Sequence, residues 1–332
     1  MIIRFSSSLV FIFLITSSIC FAQQQYTDYQ ELEGSIQVGP TEEIALDKTS
    51  RGYTLLLPDY EKIIRGLVVV FEGRRITLEN IPEDMLIHPD AFQRGLGVLY
   101  VSTGNPVNFF FEEESMITVR NLINDASETH NIPLDSLFYT GMSIGGTQAL
   151  KFTIFCKKNP NECDLNPDAV ALVDSPLDMK RFWHATERAE KVDFHPIGAG
   201  EGVWVSHWLE KNLGGTPYEN PQAYTDYSPY TYTAENTENI GGNARFLADI
   251  PVRAYHEPDI DWWIKNRRYS YYSMNSIDLA GLVNSLKVLG NENAELITTH
   301  NQRKNLEESP HSWSIVNNEK LLKWFASYMD KK

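Results

Sequence analysis

Short apolar runs rich in branched residues alternate with longer stretches of helical periodicity along most of this chain. Gln23–Leu32 is polar and reads as a frayed lead-in. Strands are predicted at Ser35–Val38, Tyr53–Leu57, Leu67–Phe71, Gly97–Ser102, Leu137–Thr140, Ala169–Val173, Val252–Tyr255 and Glu295–Thr298. Leu67-Val68-Val69-Val70-Phe71 and Ala169-Val170-Ala171-Leu172-Val173 are continuously apolar, as strands covered on both faces must be. Helices are predicted between them. Met116, Val119, Leu122, Ile123 and Ala126 form one helical stripe, and Gly145–Lys157, Met274–Leu289 and Asn318–Met329 have the same character. The alternation predicts an α/β fold with a mostly parallel central sheet flanked by helices.

Two stretches depart from it. Met1–Ala22 has a basic start at Arg4, then the apolar run Leu9–Ile15, then small residues Cys20 and Ala22 before Gln23. That order is expected of a cleaved signal peptide and predicts a secreted or periplasmic protein. A lipoprotein anchored through Cys20 is the competing reading, disfavoured by bulky Ile19. Residues 23–332 then form a single domain with no further membrane span. The second stretch, Ser175–Asp249, is rich in aromatics, among them Phe182, Trp183, Trp204, Trp208, Tyr218 and Tyr224. A long insertion of this kind predicts a partial cap over a pocket before the next strand.

Composition narrows the function classes. The 332 residues carry 29 Lys and Arg against 44 Asp and Glu, a formal charge of −15. That balance argues against a nucleic-acid partner, which needs a basic footprint. Aromatics at 12% are too many for a disordered chain. No metal-binding or nucleotide-binding motif is found, so no cofactor is expected.

The segment Phe138-Tyr139-Thr140-Gly141-Met142-Ser143-Ile144-Gly145-Gly146 reads strand, Gly-x-Ser-x-Gly, helix. A serine at such a sharp turn needs small neighbours two residues away so that strand and helix can approach. The backbone N–H of Ile144, opening the helix, can face a developing oxyanion. Of the eight histidines, His311 lies in a loop between the last strand and the last helix, where a base can reach the serine. His256 ends a strand and reads as structural. His184, His195 and His207 fall in the insertion, and His88, His130 and His300 are assigned to the surface. For the carboxylate that orients the base, Asp259 is the first choice, ahead of Asp261 and Asp174, with Glu257 also in the acidic loop.

These features resemble the α/β-hydrolase superfamily. The order Ser143, acid, His311 is that family's order. Leu213–Pro221, followed by Tyr224 and Ser228-Pro229, is similar to the segment before the acid strand in secreted esterases and in prolyl-oligopeptidase-type enzymes, and Pro251-Val252 also fits them. The likeness runs from about Leu55 to Met329. It implies a serine hydrolase, most simply a carboxylic-ester hydrolase with a small-molecule ester or acylated substrate. The alternatives are a prolyl-oligopeptidase-type peptidase or a binding protein on the same scaffold. It also implies a second oxyanion donor at the backbone N–H of Arg74, in Phe71-Glu72-Gly73-Arg74-Arg75, where relatives carry His-Gly. Relatives place the acid four residues after a histidine, whereas Asp259 comes one residue sooner after His256.

Removal of the leader would leave two cysteines, Cys156 and Cys163, at the end of the helix after the serine. In an exported protein they are expected to form a disulfide.

Overall fold

The computed structural model describes residues 29–34, 51–58, 63–72, 81–103, 113–232 and 240–329. The predicted leader, the Ser35–Val38 strand and Arg74 lie outside the described residues. In chain order the elements begin with strands β1 (Tyr29–Gly34), β2 (Arg51–Pro58) and β3 (Gly66–Phe71), helix α1 (His88–Gln93) and strand β4 (Leu96–Thr103). Helix α2 (Glu113–His130), strand β5 (Leu137–Met142), helix α3 (Ile144–Lys158) and strand β6 (Ala169–Val173) follow. Then come α4 (Met179–Val192), α5 (Pro196–Leu213), α6 (Pro221–Tyr227), β7 (Val252–His256), α7 (Ile260–Arg267), α8 (Ser276–Val288), β8 (Ala294–Thr298) and α9 (Asn318–Ala326).

The eight strands form one sheet in the order β1-β2-β4-β3-β5-β6-β7-β8. β1 and β2 pair antiparallel, as do β2 and β4, while every pairing from β4 through β8 is parallel. β1 falls largely within the segment expected to be frayed. Its sequence, YQELEG, lacks the apolar run that marks the central strands, and it lies at the sheet edge, where one side needs no partner.

Period-two alternation sorts the strand side chains into two layers. Leu67, Val69, Phe71, Tyr139, Val170 and Leu172 belong to one core with Val119, Leu122 and Ala126 of α2, Leu150 and Phe152 of α3, and Leu282 and Leu286 of α8. Val68, Val70, Phe138, Ala171 and Val173 belong to the other, with Phe92 of α1 and Leu321, Leu322 and Phe325 of α9. Each buried Val, Leu or Phe side chain among them contributes about 1.5–3 kcal/mol by leaving water. The all-apolar strands are the ones coated on both sides, which accounts for their sequence. One predicted surface residue is instead buried: His88 opens α1, is 4% exposed and packs against the ring of Phe92. Burial holds its pKa down at about 4.

Residues 175–249 carry α4, α5 and α6 with a small core of their own, comprising Met179, Trp183, Val205, Leu209, Leu213 and Tyr224. Gly202 lets α5 approach α4, since a Cβ there would overlap the Thr186 carbonyl. Cys156 and Cys163 are joined by a disulfide that closes the turn after α3. Among the described residues no helix is long and apolar enough to cross a membrane.

Candidate active site

Ser143 stands between β5 and α3 with φ 54° and ψ −124°, left-handed backbone that costs a non-glycine residue about 1–3 kcal/mol. The fold holds it there from several sides. Its N–H donates to the Val173 carbonyl at 2.8 Å, and its carbonyl accepts from the Thr147 N–H at 3.3 Å. A Cβ on Gly141 would overlap the backbone of Gly145, and one on Gly145 would overlap the Phe71 carbonyl. The two glycines of Gly-x-Ser-x-Gly are thus the contact points that let α3 leave β5 so sharply and pass the end of β3. Ile144 is the first residue of α3, so its N–H has no acceptor within the helix.

β6 pairs beside β5 and ends at Val173, so Asp174 emerges next to the serine turn. Asp174 also adopts positive φ, 43°, which aspartate tolerates better than most residues. Its N–H donates to the Tyr255 carbonyl at 3.0 Å, and its own carbonyl accepts from Asn275 Nδ2 at 2.9 Å. The loop beyond it is tied down twice. Asp278 of α8 accepts from the N–H groups of Leu177 and Asp178 at 2.8 and 3.1 Å, and Thr147 Oγ1 donates to the Pro176 carbonyl at 2.6 Å. Asp278 is itself held in a two-point ion pair by Arg181 of α4. Burial raises the Asp278 pKa despite the opposing pull of that guanidinium.

His311 Nδ1 lies 2.6 Å from Asp174 Oδ2. Burial alone would lower the His311 pKa, yet the hydrogen bond to Asp174, the charge of Asp174 and the more distant charge of Glu201 together raise it. Ser143, Asp174 and His311 line one cleft. Its walls include Phe182, Glu201 and Gly198 from α4 and α5, and Trp263, Arg267 and Tyr269 from α7 and the turn after it. The predicted insertion therefore contributes to the cleft as well as packing its own core.

Asp259, the sequence's first choice of acid, is not the residue beside His311. Its Oδ1 accepts from the Trp262 N–H at 2.9 Å, capping α7, and its Oδ2 receives Arg303 Nη2 at 2.6 Å. Arg303, whose side chain is 1% exposed, also pairs through Nε with Glu257 Oε1 at 3.3 Å. Glu257 Oε2 accepts from Gln302 N–H at 3.0 Å and Thr299 Oγ1 at 3.1 Å. The acidic loop after β7 is thus consumed in binding the loop after β8, the one that delivers His311. Asp261 lies on exposed surface in the first turn of α7, where an acid favours the helix N-terminus. His256 is buried and bonds Thr298 Oγ1 at 2.6 Å, a cross-strand contact between β7 and β8. Arg181, Asp278 and Arg303 escape a sequence reading because each sits far along the chain from the loop it holds, with no motif of its own. Among the described residues no cluster of His, Cys, Asp and Glu could hold a metal.

Comparison with known proteins agrees with this arrangement at the level of fold. No family model matches the chain, and no curated protein matches it. Solved structures do. A carboxyl esterase from the fungus Tuber melanosporum superposes with a TM-score of 0.54 at 15% identity, over 91% of this chain and 87% of that one. An acylaminoacyl peptidase from Pyrococcus horikoshii gives 0.54 at 15%, over 95% of this chain and 44% of the peptidase. A thermostable esterase from Pseudomonas putida gives 0.51 at 12%, over 94% and 86%. With the strand order, the serine turn after β5 and these superpositions, the chain has the α/β-hydrolase fold.

Proposed function

We propose that this protein is an exported serine hydrolase of carboxylic esters, with Ser143 as nucleophile, His311 as base and Asp174 as the acid that orients the base. The observation that carries the reading is the 2.6 Å contact between His311 Nδ1 and Asp174 in the cleft that also exposes Ser143. With Nδ1–H donated to Asp174, His311 presents Nε2 as the free lone pair, which is the tautomer a general base needs. Ser143 Oγ attacks the acyl carbon while Nε2 takes its proton. The oxyanion is held by the Ile144 N–H and, by the family resemblance, the backbone N–H of Arg74. His311 then returns the proton to the departing alcohol, and water, deprotonated by His311, releases the acid from the acyl-enzyme. Loss of one oxyanion donor typically costs about 100- to 1000-fold in turnover.

Esters are favoured over peptides because the esterase from Tuber melanosporum is matched over 87% of its length, against 44% for the peptidase. Export rests on the leader-like order of Met1–Ala22 and fits the disulfide between Cys156 and Cys163. The test is turnover of short p-nitrophenyl esters by the wild type and by Ser143→Ala. The reading expects turnover that the substitution removes. Folded wild type inert on the whole ester series would leave the alternatives, a prolyl-oligopeptidase-type peptidase or a binding protein on this scaffold.

A further inference from the structure

The cleft wall facing the triad is neither wholly apolar nor of one charge. Trp263 and Tyr269 stack with ring centroids 5.3 Å apart and planes 4° from parallel, and both line the cleft. The stack is fixed from behind: the Tyr269 N–H donates to the Trp263 carbonyl at 3.3 Å, and Trp262 meets Trp263 edge-on. The same cleft is lined by Arg267, one turn of α7 beyond Trp263, and by Glu201 from α5. Glu201, Arg267 and Tyr269 thus all line this one cleft. Among the described residues neither Arg267 nor Glu201 has an ion-pair partner. Arg267 gives one guanidinium nitrogen to His195 Nδ1, which leaves most of its N–H donors unspent. α5 passes close to this wall at Gly198, where a Cβ would make ordinary contacts at 3.6 Å to the Tyr269 hydroxyl and 3.8 Å to Arg267 Cδ.

We propose that the alcohol portion of the substrate is a sugar, seated on the Trp263–Tyr269 stack with its hydroxyls shared between Arg267 and Glu201. This deepens the ester-hydrolase reading and rests on it. A pyranose has an apolar face of C–H groups that packs on an aromatic ring, and a rim of hydroxyls that both donate and accept. A donor-only guanidinium and an acceptor-only carboxylate beside one aromatic platform match both halves of that rim. A purely aliphatic alcohol would satisfy neither the remaining Arg267 donors nor the Glu201 carboxylate. An anionic group would suit Arg267 but face Glu201, and a cationic one the reverse.

The experiment compares two secondary acetates of similar ring size, monoacetylated methyl xyloside and cyclohexyl acetate. Wild type is expected to favour the xyloside at least tenfold in kcat/KM. Arg267→Met and Glu201→Gln should each cut that preference threefold or more, and Trp263→Ala should raise KM for the xyloside. If Trp263→Ala does not fold, Trp263→Phe, which keeps an aromatic face, should retain the preference while the two polar variants lose it. Equal kcat/KM for the two acetates, or a preference that Arg267→Met and Glu201→Gln leave intact, overturns the inference. Failure is separable from that of the underlying reading by labelling Ser143 with a fluorophosphonate. Labelling without sugar preference sinks the sugar site alone, whereas no labelling of folded protein sinks both.

Discussion

His311 Nδ1 and Asp174 Oδ2 meet at 2.6 Å across 137 residues of chain, from the loop after β8 to the end of β6. Asp259, nearer in sequence to His311, is turned instead toward Arg303 and the N-terminus of α7. Asp174→Asn should therefore be the damaging change, since a neutral amide does not stabilise the imidazolium and its N–H can donate to Nδ1, which selects the wrong tautomer. The corresponding change in a Ser-His-Asp protease triad costs about 10,000-fold in kcat. Asp259→Asn should cost far less, because asparagine caps a helix as well as aspartate does. Steady-state kinetics on one p-nitrophenyl ester decides between the two, and a larger loss in the Asp259 variant would reverse the assignment.

The pH profile should show the same pair. His311 works as a base only when neutral, and its pKa is raised from 6.5 by Asp174 and Glu201 against the effect of burial. The acidic limb of kcat/KM should then have its midpoint above 6.5. Asp174→Asn should move that midpoint down, as burial is left opposed only by Glu201. Stability follows the opposite sign. A folded-state pKa above the unfolded one contributes stability that is present at low pH and lost as pH rises through the folded value. The His311→Gln variant should therefore lose less stability than wild type on passing from pH 6 to pH 8, as read by urea unfolding at the two pH values.

Arg303 holds the loop that delivers His311, so its removal should weaken both fold and turnover. Arg303→Met would leave Glu257, a buried carboxylate, with its counter-charge gone, a defect that typically costs about 3–5 kcal/mol. The double change Glu257→Gln with Arg303→Met should recover part of that loss, because no unpaired charge then remains. Denaturant melts of the two single variants and the double variant give the coupling. Additive losses would mean the pair does not act as a unit.

The disulfide joins cysteines seven residues apart. Chain-entropy arithmetic gives so short a loop about 2–3 kcal/mol of stabilisation. Cys156→Ser with Cys163→Ser should lower stability by about that amount and leave ester turnover within a few fold, since the turn after α3 lies at the far end of the helix from Ser143. Denatured protein produced from Gln23 onward should titrate with no free thiol until reduced.

How much of this was visible beforehand follows from what each element depends on. Ala169–Val173 could be placed from its residues alone because a strand coated on both faces admits only apolar side chains. Gly141 and Gly145 were legible for a similar reason: the close backbone approach leaves no room for a Cβ. β1 was missed because an edge strand can be polar and still pair. That Asp174 and not Asp259 meets His311 was hidden for a deeper reason. Asp174 and Asp259 both follow strands in the parallel half of the sheet, and both could in principle face the β8 loop. What separates them is Arg303, a buried cation that draws Asp259 and Glu257 away, and no local pattern marks an arginine as buried. The Asp278–Arg181 pair behind Asp174 is similarly invisible until the chain is folded.

The most direct measurement is intact-mass analysis after fluorophosphonate treatment of four purified proteins: wild type, Ser143→Ala, Asp174→Asn and Asp259→Asn. A nucleophile activated by His311 and Asp174 predicts one adduct on wild type, mapped to Ser143, and none on Ser143→Ala. It also predicts slow labelling of Asp174→Asn and labelling of Asp259→Asn near the wild-type rate. Folded wild type that takes up no reagent, or an adduct that persists in Ser143→Ala, would contradict it.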